Sequence, residues 1–345
     1  MKHWLGVFFL SVILMTHSIG VIATTHKHTR NHAGQVKQTL TKKTKRISAI
    51  KRPKQSRIMV YNKMVDGVPT VMNGGFSRTA YLEGYTGYGD IKLASAKALV
   101  VNQATGEALI QKNIHVPSSI ASVTKLMTAM VTLDAKLALD EIVTISIEDM
   151  DFLKGTGSRL PLGARLSRGE LLELAIMASE NRAAAALGRT YPGGLDIFVR
   201  AMNEKAKALG MESSQFADPT GLDSNNLSTA EDLVKMTKSA YQYPEIRAAS
   251  TKVSLTLYLP ERMNPLTFKN TNGLVRGGDW NIGLSKTGFI NEAGRCLVMQ
   301  AEIGSEQYIF VLLDSNAKNS RIGDANRIRK WIEQNKPFSA NKYNS

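Results

Sequence analysis

Ser122 and Lys125 stand three residues apart at the head of an apolar run spaced for a helix, Leu126, Met127, Met130 and Leu133. On a helix that spacing puts both side chains on one face, with Cβ atoms roughly 5–6 Å apart, so the amine reaches the hydroxyl. A serine hydroxyl is a poor nucleophile at neutral pH unless a base or a stabilising charge lies beside it. A lysine at this distance supplies both without a histidine. The pattern alone is not specific, because Ser-x-x-Lys recurs at Ser48/Lys51, Ser315/Lys318 and Ser339/Lys342. Only the Ser122 pair is followed in order, with room for a fold between, by Ser179-Glu180-Asn181 and by Lys286-Thr287-Gly288, the sole Lys-Thr-Gly of the chain.

Rival chemistries lack their parts. Cys296 is the single cysteine, so no intramolecular disulfide forms, and its apolar surroundings read as those of an inert core thiol. Beyond residue 57 the one histidine is His115. A serine triad would have to recruit it, and a zinc peptidase ordinarily needs more than one nitrogen ligand. His26, His28 and His32 make at most a weak metal site, so neither a metal nor a cofactor is expected.

The elements that must position these residues follow from patterning. Residues 96–101 and 107–111 read as strands flanking the turn Gln103-Ala104-Thr105-Gly106. Val116-Pro117-Ser118-Ser119 breaks the strand pattern and leads into the Ser122 helix. Ser167 with Glu170 is a capping-box signature opening the apolar helix 171–177, which stops near Ser179. A further helix starts in the alanine-rich run after Arg182; Leu195, Phe198, Val199, Met202 and Leu209 then trace one face, ended by Gly210. Ser228 with Glu231 repeats the capping signature. Three neighbouring antiparallel strands are expected over 281–289, 296–303 and 308–313, then a closing helix over about 322–334 with Ile328, Trp331 and Ile332 inward. The expected class is α+β: an antiparallel sheet from early and late segments, flanked by helices, with an inserted all-helical lobe over about 147–245. The site then lies in the cleft where the lobes join. The domain carrying it spans 95–335.

The ends read differently. Residues 1–23 have the pattern of a cleavable secretory signal, with an uncleaved anchor as the alternative. Residues 24–57 hold eleven Lys and Arg and no acidic residue, so most of the formal net charge of +15 sits in a tail expected to be disordered. Export makes an anionic wall or membrane surface a better partner for it than nucleic acid. A plain solvated spacer is the alternative. Residues 58–94 read as a connecting arm and 336–345 as a C-terminal tail.

The segments ASVTKLMTAMVTLDA from Ala121, MASENRAAAALGRTYPGG from Met177, FADPTGL from Phe216 and NIGLSKTGF from Asn281 resemble the low-molecular-mass penicillin-binding proteins, serine DD-peptidases. Within that family they are most similar to the penicillin-binding protein 7 type of endopeptidase. The resemblance, over about residues 95–334, implies the β-lactamase/DD-peptidase-like fold and acyl-enzyme chemistry on D-alanyl peptide cross-links of peptidoglycan, with β-lactam antibiotics as inhibitors and a periplasmic location. Carried over, Ser122 is the nucleophile and Lys125 its base, with a pKa depressed by partial burial and by the charge of Lys286. Ser179 relays the proton to the leaving amine, and Asn181 holds the substrate amide and the lysine. Lys286 and Thr287 bind the terminal carboxylate, Gly288 lets the substrate backbone approach, and the N–H groups of Ser122 and Phe289 form an oxyanion hole. Glu180 in Ser-Glu-Asn and the short chain beyond the closing helix point to the endopeptidase branch. A D-alanyl-D-alanine carboxypeptidase and a non-hydrolytic wall-binding protein are the other readings. The absence of an evident acidic helper for fast deacylation argues against a β-lactamase.

Overall fold

The computed structural model describes residues 91–335 apart from Glu261. The signal segment, the basic tail with its histidines, all but the last residues of the connecting arm, the C-terminal tail, and the Ser48 and Ser339 motifs lie outside the described residues.

In chain order the strands are β1 (Ser95–Asn102), β2 (Ala108–Lys112), β3 (Ser118–Ser119), β4 (Ile142–Thr144), β5 (Arg165–Ser167), β6 (Leu227–Ser228), β7 (Ser254–Leu257), β8 (Leu266–Lys269), β9 (Asn281–Ile290), β10 (Gly294–Ile303) and β11 (Glu306–Ser315). The helices are α1 (Lys125–Asp134), α2 (Arg168–Met177), α3 (Asn181–Arg189), α4 (Gly194–Ala208), α5 (Ala230–Ala240), α6 (Pro244–Thr251), α7 (Gly273–Gly277) and α8 (Ser320–Asn335). The main sheet runs β2-β1-β11-β10-β9 and is antiparallel throughout, so early and late segments meet at its centre, where Val100 faces Phe310.

Both faces of this sheet are covered. Leu99, Val101, Val298, Ile309 and Val311 point into a core shared with α1 to α6, while Ala98, Val100, Leu297, Met299, Phe310 and Leu312 point into a second core closed by Ile328 and Ile332 of α8. Successive side chains of a strand face opposite ways. A strand buried on both sides therefore reads as an unbroken apolar run, as 296–299 and 308–313 do. With β9 at the edge, one side of its backbone is left open beside the inserted lobe.

The insertion is helical apart from the short strands β5 and β6, which pair with β4 and β3 outside it. Strands of two or three residues leave no periodic trace in a sequence. The Ser167–Glu170 box forms as read, with Glu170 N–H donating to Ser167 Oγ at 3.1 Å and Ser167 N–H to Glu170 Oε2 at 2.8 Å. The second box does not form, and the helix is capped one residue later. Thr229 caps α5 by accepting from Asp232 N–H at 3.1 Å, because the Ser228 hydroxyl is taken by Ser214 at 2.8 Å and Glu231 by His115 at 3.1 Å. On α4 the buried stripe is Phe198, Met202 and Ala206, with Leu195 exposed, and the chain leaves through Gly210 at φ 69°. Among the described residues no helix is long and apolar enough to cross a membrane.

Candidate active site

Ser122 lies on a single 3-10 turn, Ala121–Thr124, that runs straight into α1. Val123, Leu126, Met127 and Met130 anchor that segment in the core while the Ser122 side remains half-buried and reachable. Two glycines let other backbone crowd the turn. A Cβ on Gly221, at φ 78°, would sit 1.9 Å from Ala121 O, and one on Gly288 would sit 2.9 Å from Ile120 O and 3.1 Å from Ser122 N. The lack of a side chain at Gly288 thus lets β9 approach the nucleophile's own turn. Five non-glycine residues have positive φ among those described, and two are here: Ala121 at 48°, just before Ser122, and Ser179 at 59°, between α2 and α3. Left-handed backbone costs an L-residue about 1–2 kcal/mol, which the surrounding packing must absorb.

Lys125 is fully buried, and its Nζ lies 2.9 Å from Ser122 Oγ, 2.8 Å from Asn181 Oδ1 and 2.6 Å from Thr220 O. The two carbonyl oxygens only accept. When the amine is neutral its two N–H bonds go to them, and its lone pair is left facing the Ser122 hydroxyl. Burial drives the Lys125 pKa down from 10.5 to about 7, against the opposing pull of Asp218 and Glu180. The expected contribution of Lys286 to that depression is not among its causes. The influence is seen on Lys286, which is also buried and is pushed well below 10.5 by desolvation, then by the charges of Lys125 and Arg321. Lys286 Nζ donates to Ser179 Oγ at 2.9 Å and to Thr287 O at 2.9 Å. Because Ser179 Oγ accepts there, its own hydrogen stays available. Thr287 Oγ1 meets Thr271 Oγ1 at 2.7 Å, and Phe289 is half-exposed with the Arg295 guanidinium 4.4 Å from its ring centre.

All the residues singled out by sequence therefore converge on the junction between β9 and the helical insertion. The other described Ser-x-x-Lys does not: Ser315 is buried against the Ser95 hydroxyl at 2.8 Å, and Lys318 is exposed. His115 is occupied by Glu231 at the surface, and burial pushes the Cys296 thiol up to about 11, where it is inert.

Three contributions escaped the sequence reading. Asp218 gathers the loop before Gly221 by accepting from Thr220 Oγ1 at 2.7 Å, Gly221 N–H at 2.6 Å and Asp223 N–H at 2.6 Å, so that Thr220 O points at Lys125. Asp-Pro-Thr-Gly is a turn signal that could have located this loop. Arg321, at the start of α8, is buried with Nε and Nη1 unpartnered among the described residues. The segment 150–158 reaches Asn181 through Thr156, at 3.0 Å. Beyond Asn181 a cavity of about 410 Å³ continues between Phe152, Leu153, Leu195 and Pro219.

A hydroxyl served by a lysine, set where an edge strand meets an inserted helical lobe, is the arrangement of a Ser–Lys acyl-transfer enzyme of the DD-peptidase class. The family described as D-alanyl-D-alanine carboxypeptidase matches residues 86–317. The chain is 47 % identical over 242 residues to a D-alanyl-D-alanine endopeptidase of Pseudomonas aeruginosa, covering 70 % of this chain and 78 % of the relative. It is 44 % identical over 245 residues to one of Escherichia coli, covering 71 % and 79 %. The crystal structure of a Streptomyces DD-transpeptidase, 28 % identical, superposes with a TM-score of 0.65 over 71 % of this chain and 98 % of that one. The chain belongs to this D-alanyl-D-alanine peptidase family of serine hydrolases.

Proposed function

We propose that this protein is a periplasmic DD-endopeptidase that hydrolyses D-alanyl cross-links in peptidoglycan through an acyl-enzyme on Ser122, and that β-lactams inhibit it by acylating the same oxygen. The observation that carries the mechanism is the lone pair of a buried, near-neutral Lys125 facing Ser122 Oγ at 2.9 Å. Ser122 Oγ attacks the D-alanyl carbonyl carbon as its proton passes to Lys125. The C–N bond then breaks, and the proton held by Lys125 is relayed to the leaving amine through Ser179, whose hydrogen is free because Lys286 donates to its oxygen. Water completes the cycle by adding hydroxide to the acyl carbon and returning a proton to Ser122. Asn181 holds the acyl-side amide. Lys286 and Thr287 are assigned to the carboxylate beside the scissile bond, with the buried positive charge of Arg321 acting on Lys286, and the cavity past Asn181 offers room for the rest of a stem peptide. The oxyanion is assigned to the N–H groups of Ser122 and Phe289.

The endopeptidase reading over the carboxypeptidase one is supported by the names of the relatives at 47 % and 44 % identity, against 31 % for a Bacillus subtilis D-alanyl-D-alanine carboxypeptidase. Purified cross-linked muropeptide dimers and pentapeptide monomers, digested side by side and read by mass spectrometry, test it. Cleaved dimers with monomers intact are expected. Loss of terminal D-Ala from monomers with dimers untouched would install the carboxypeptidase. The basic segment 24–57 is assigned to attachment at an anionic wall or membrane surface. Its deletion is expected to abolish salt-sensitive binding to isolated sacculi while activity on soluble muropeptides stays unchanged.

A further inference from the structure

We propose that Thr156, held by Asp151, is a positioning residue that fixes which way round the Asn181 carboxamide sits and so keeps the Lys125 lone pair free for Ser122. The proposal rests on the reading of Lys125 as the base. The Asp151 carboxylate accepts from the N–H groups of Leu153 and Lys154 at 2.9 Å, from Thr156 N–H at 2.8 Å, and from the Thr156 hydroxyl at 2.6 Å. Burial works against its ionisation, but the Thr156 hydroxyl and the backbone N–H groups hold it below the ordinary carboxylate value, so it is an acceptor only. A threonine hydroxyl has one hydrogen, and here Asp151 takes it. Thr156 therefore turns only lone pairs toward Asn181, and its 3.0 Å contact must be with the amide NH2. That leaves Asn181 Oδ1 on the Lys125 side, at 2.8 Å.

The consequence depends on the charge of Lys125. As an ammonium, Lys125 itself demands the oxygen of Asn181. As a neutral amine it does not, because a reversed carboxamide could donate N–H into its lone pair, the lone pair that must accept the Ser122 proton. In the state that does the chemistry, Thr156 is the group that forbids this reversal, since it would set Asn181 Oδ1 against the Thr156 lone pairs. The segment carrying Thr156 is tied down at its middle by the ion pair of Lys154 with Glu292, in the turn between β9 and β10, so it bridges the two sides of the cleft.

The test uses the full chain, with Thr156→Val and Thr156→Ser, and follows acylation by labelled penicillin as a function of pH. Thr156→Val is expected to lower the limiting acylation rate by about tenfold, the worth of one well-placed hydrogen bond. It should also move the acid limb to lower pH, because a reversed amide favours neutral Lys125 and no longer accepts from its ammonium. Thr156→Ser should restore both. A merely structural role would reduce the fraction of protein that labels and leave rate and limb alone. Asp151→Ala, which frees the Thr156 hydrogen, gives a second route to the same readout should Thr156→Val not fold. Wild-type rate and limb in Thr156→Val, or equal loss in Thr156→Ser, would overturn the proposal. A wild type that never labels would instead overturn the Ser122 reading.

Discussion

Lys125 and Lys286 are the same side chain in the same degree of burial, one on the first turn of α1 and one on the edge strand β9. Desolvation lowers both. Their neighbours then separate them: Asp218 and Glu180 pull Lys125 back up to about 7, whereas Lys125 and Arg321 push Lys286 further down. The first is poised to exchange a proton near neutrality. The second is depressed further by like charge, a cost that an arriving anion would offset, so it is placed to meet a substrate carboxylate. Burial sets the scale of a shift, and the charges around it assign the role.

Removing each lysine should break this contrast in different ways. Lys125→Met is expected to lower the acylation rate on the order of 10⁴-fold, the upper range for a positioned base, with little change in the affinity for a carboxylate product; stopped-flow labelling and equilibrium binding measure the two. Lys286→Met should lower kcat/KM about 10²-fold by lost carboxylate binding. It should also raise Tm by a few degrees, because it removes an amine that folding forces out of water. If Lys286→Met impaired the limiting rate as much as Lys125→Met does, the division of roles would fail.

The sign of the linkage gives a further check. Both folded-state values lie below that of an unfolded lysine, so the unfolded chain binds more protons and stability rises with pH. For Lys125 the rise falls between about 7 and 10.5 and is absent below. Denaturant titrations across that window should show it, and Lys125→Met should flatten it. An anion bound beside Lys286 should raise its depressed pKa, so calorimetry of a D-alanyl carboxylate in buffers of different ionisation enthalpy is expected to show proton uptake on binding. The smallest effect belongs to Glu180→Gln. Removing a charge that raises Lys125 should move the acid limb of acylation down by a few tenths of a pH unit.

Much of this site was legible before any coordinates. Strands of ten residues buried on both faces announce themselves as apolar runs between turns, and Ser122, Ser179 and Lys286 carry short motifs whose order implied their meeting. The loops that tune those residues carry no such period. Asp218, Thr156 and Arg321 act through tertiary contacts or buried charge, as when Thr220, two residues after Asp218, reaches Lys125 across 95 residues and Asn181 reaches Thr156 across 25. At α5 both Ser228–Glu231 and Thr229–Asp232 fit a cap. The tertiary partners Ser214 and His115 decided between them, and no local pattern contains that information.

The most direct test of the account is the rate at which labelled penicillin acylates Ser122 as pH is raised, followed by intact-mass spectrometry with Ser122→Ala as control. The rate should climb through an apparent pKa of about 7 and level off, with one label per chain and none on Ser122→Ala. Labelling that persists in Ser122→Ala, or a rate still climbing toward pH 10 as an ordinary lysine would require, would contradict a buried, near-neutral Lys125 as the base.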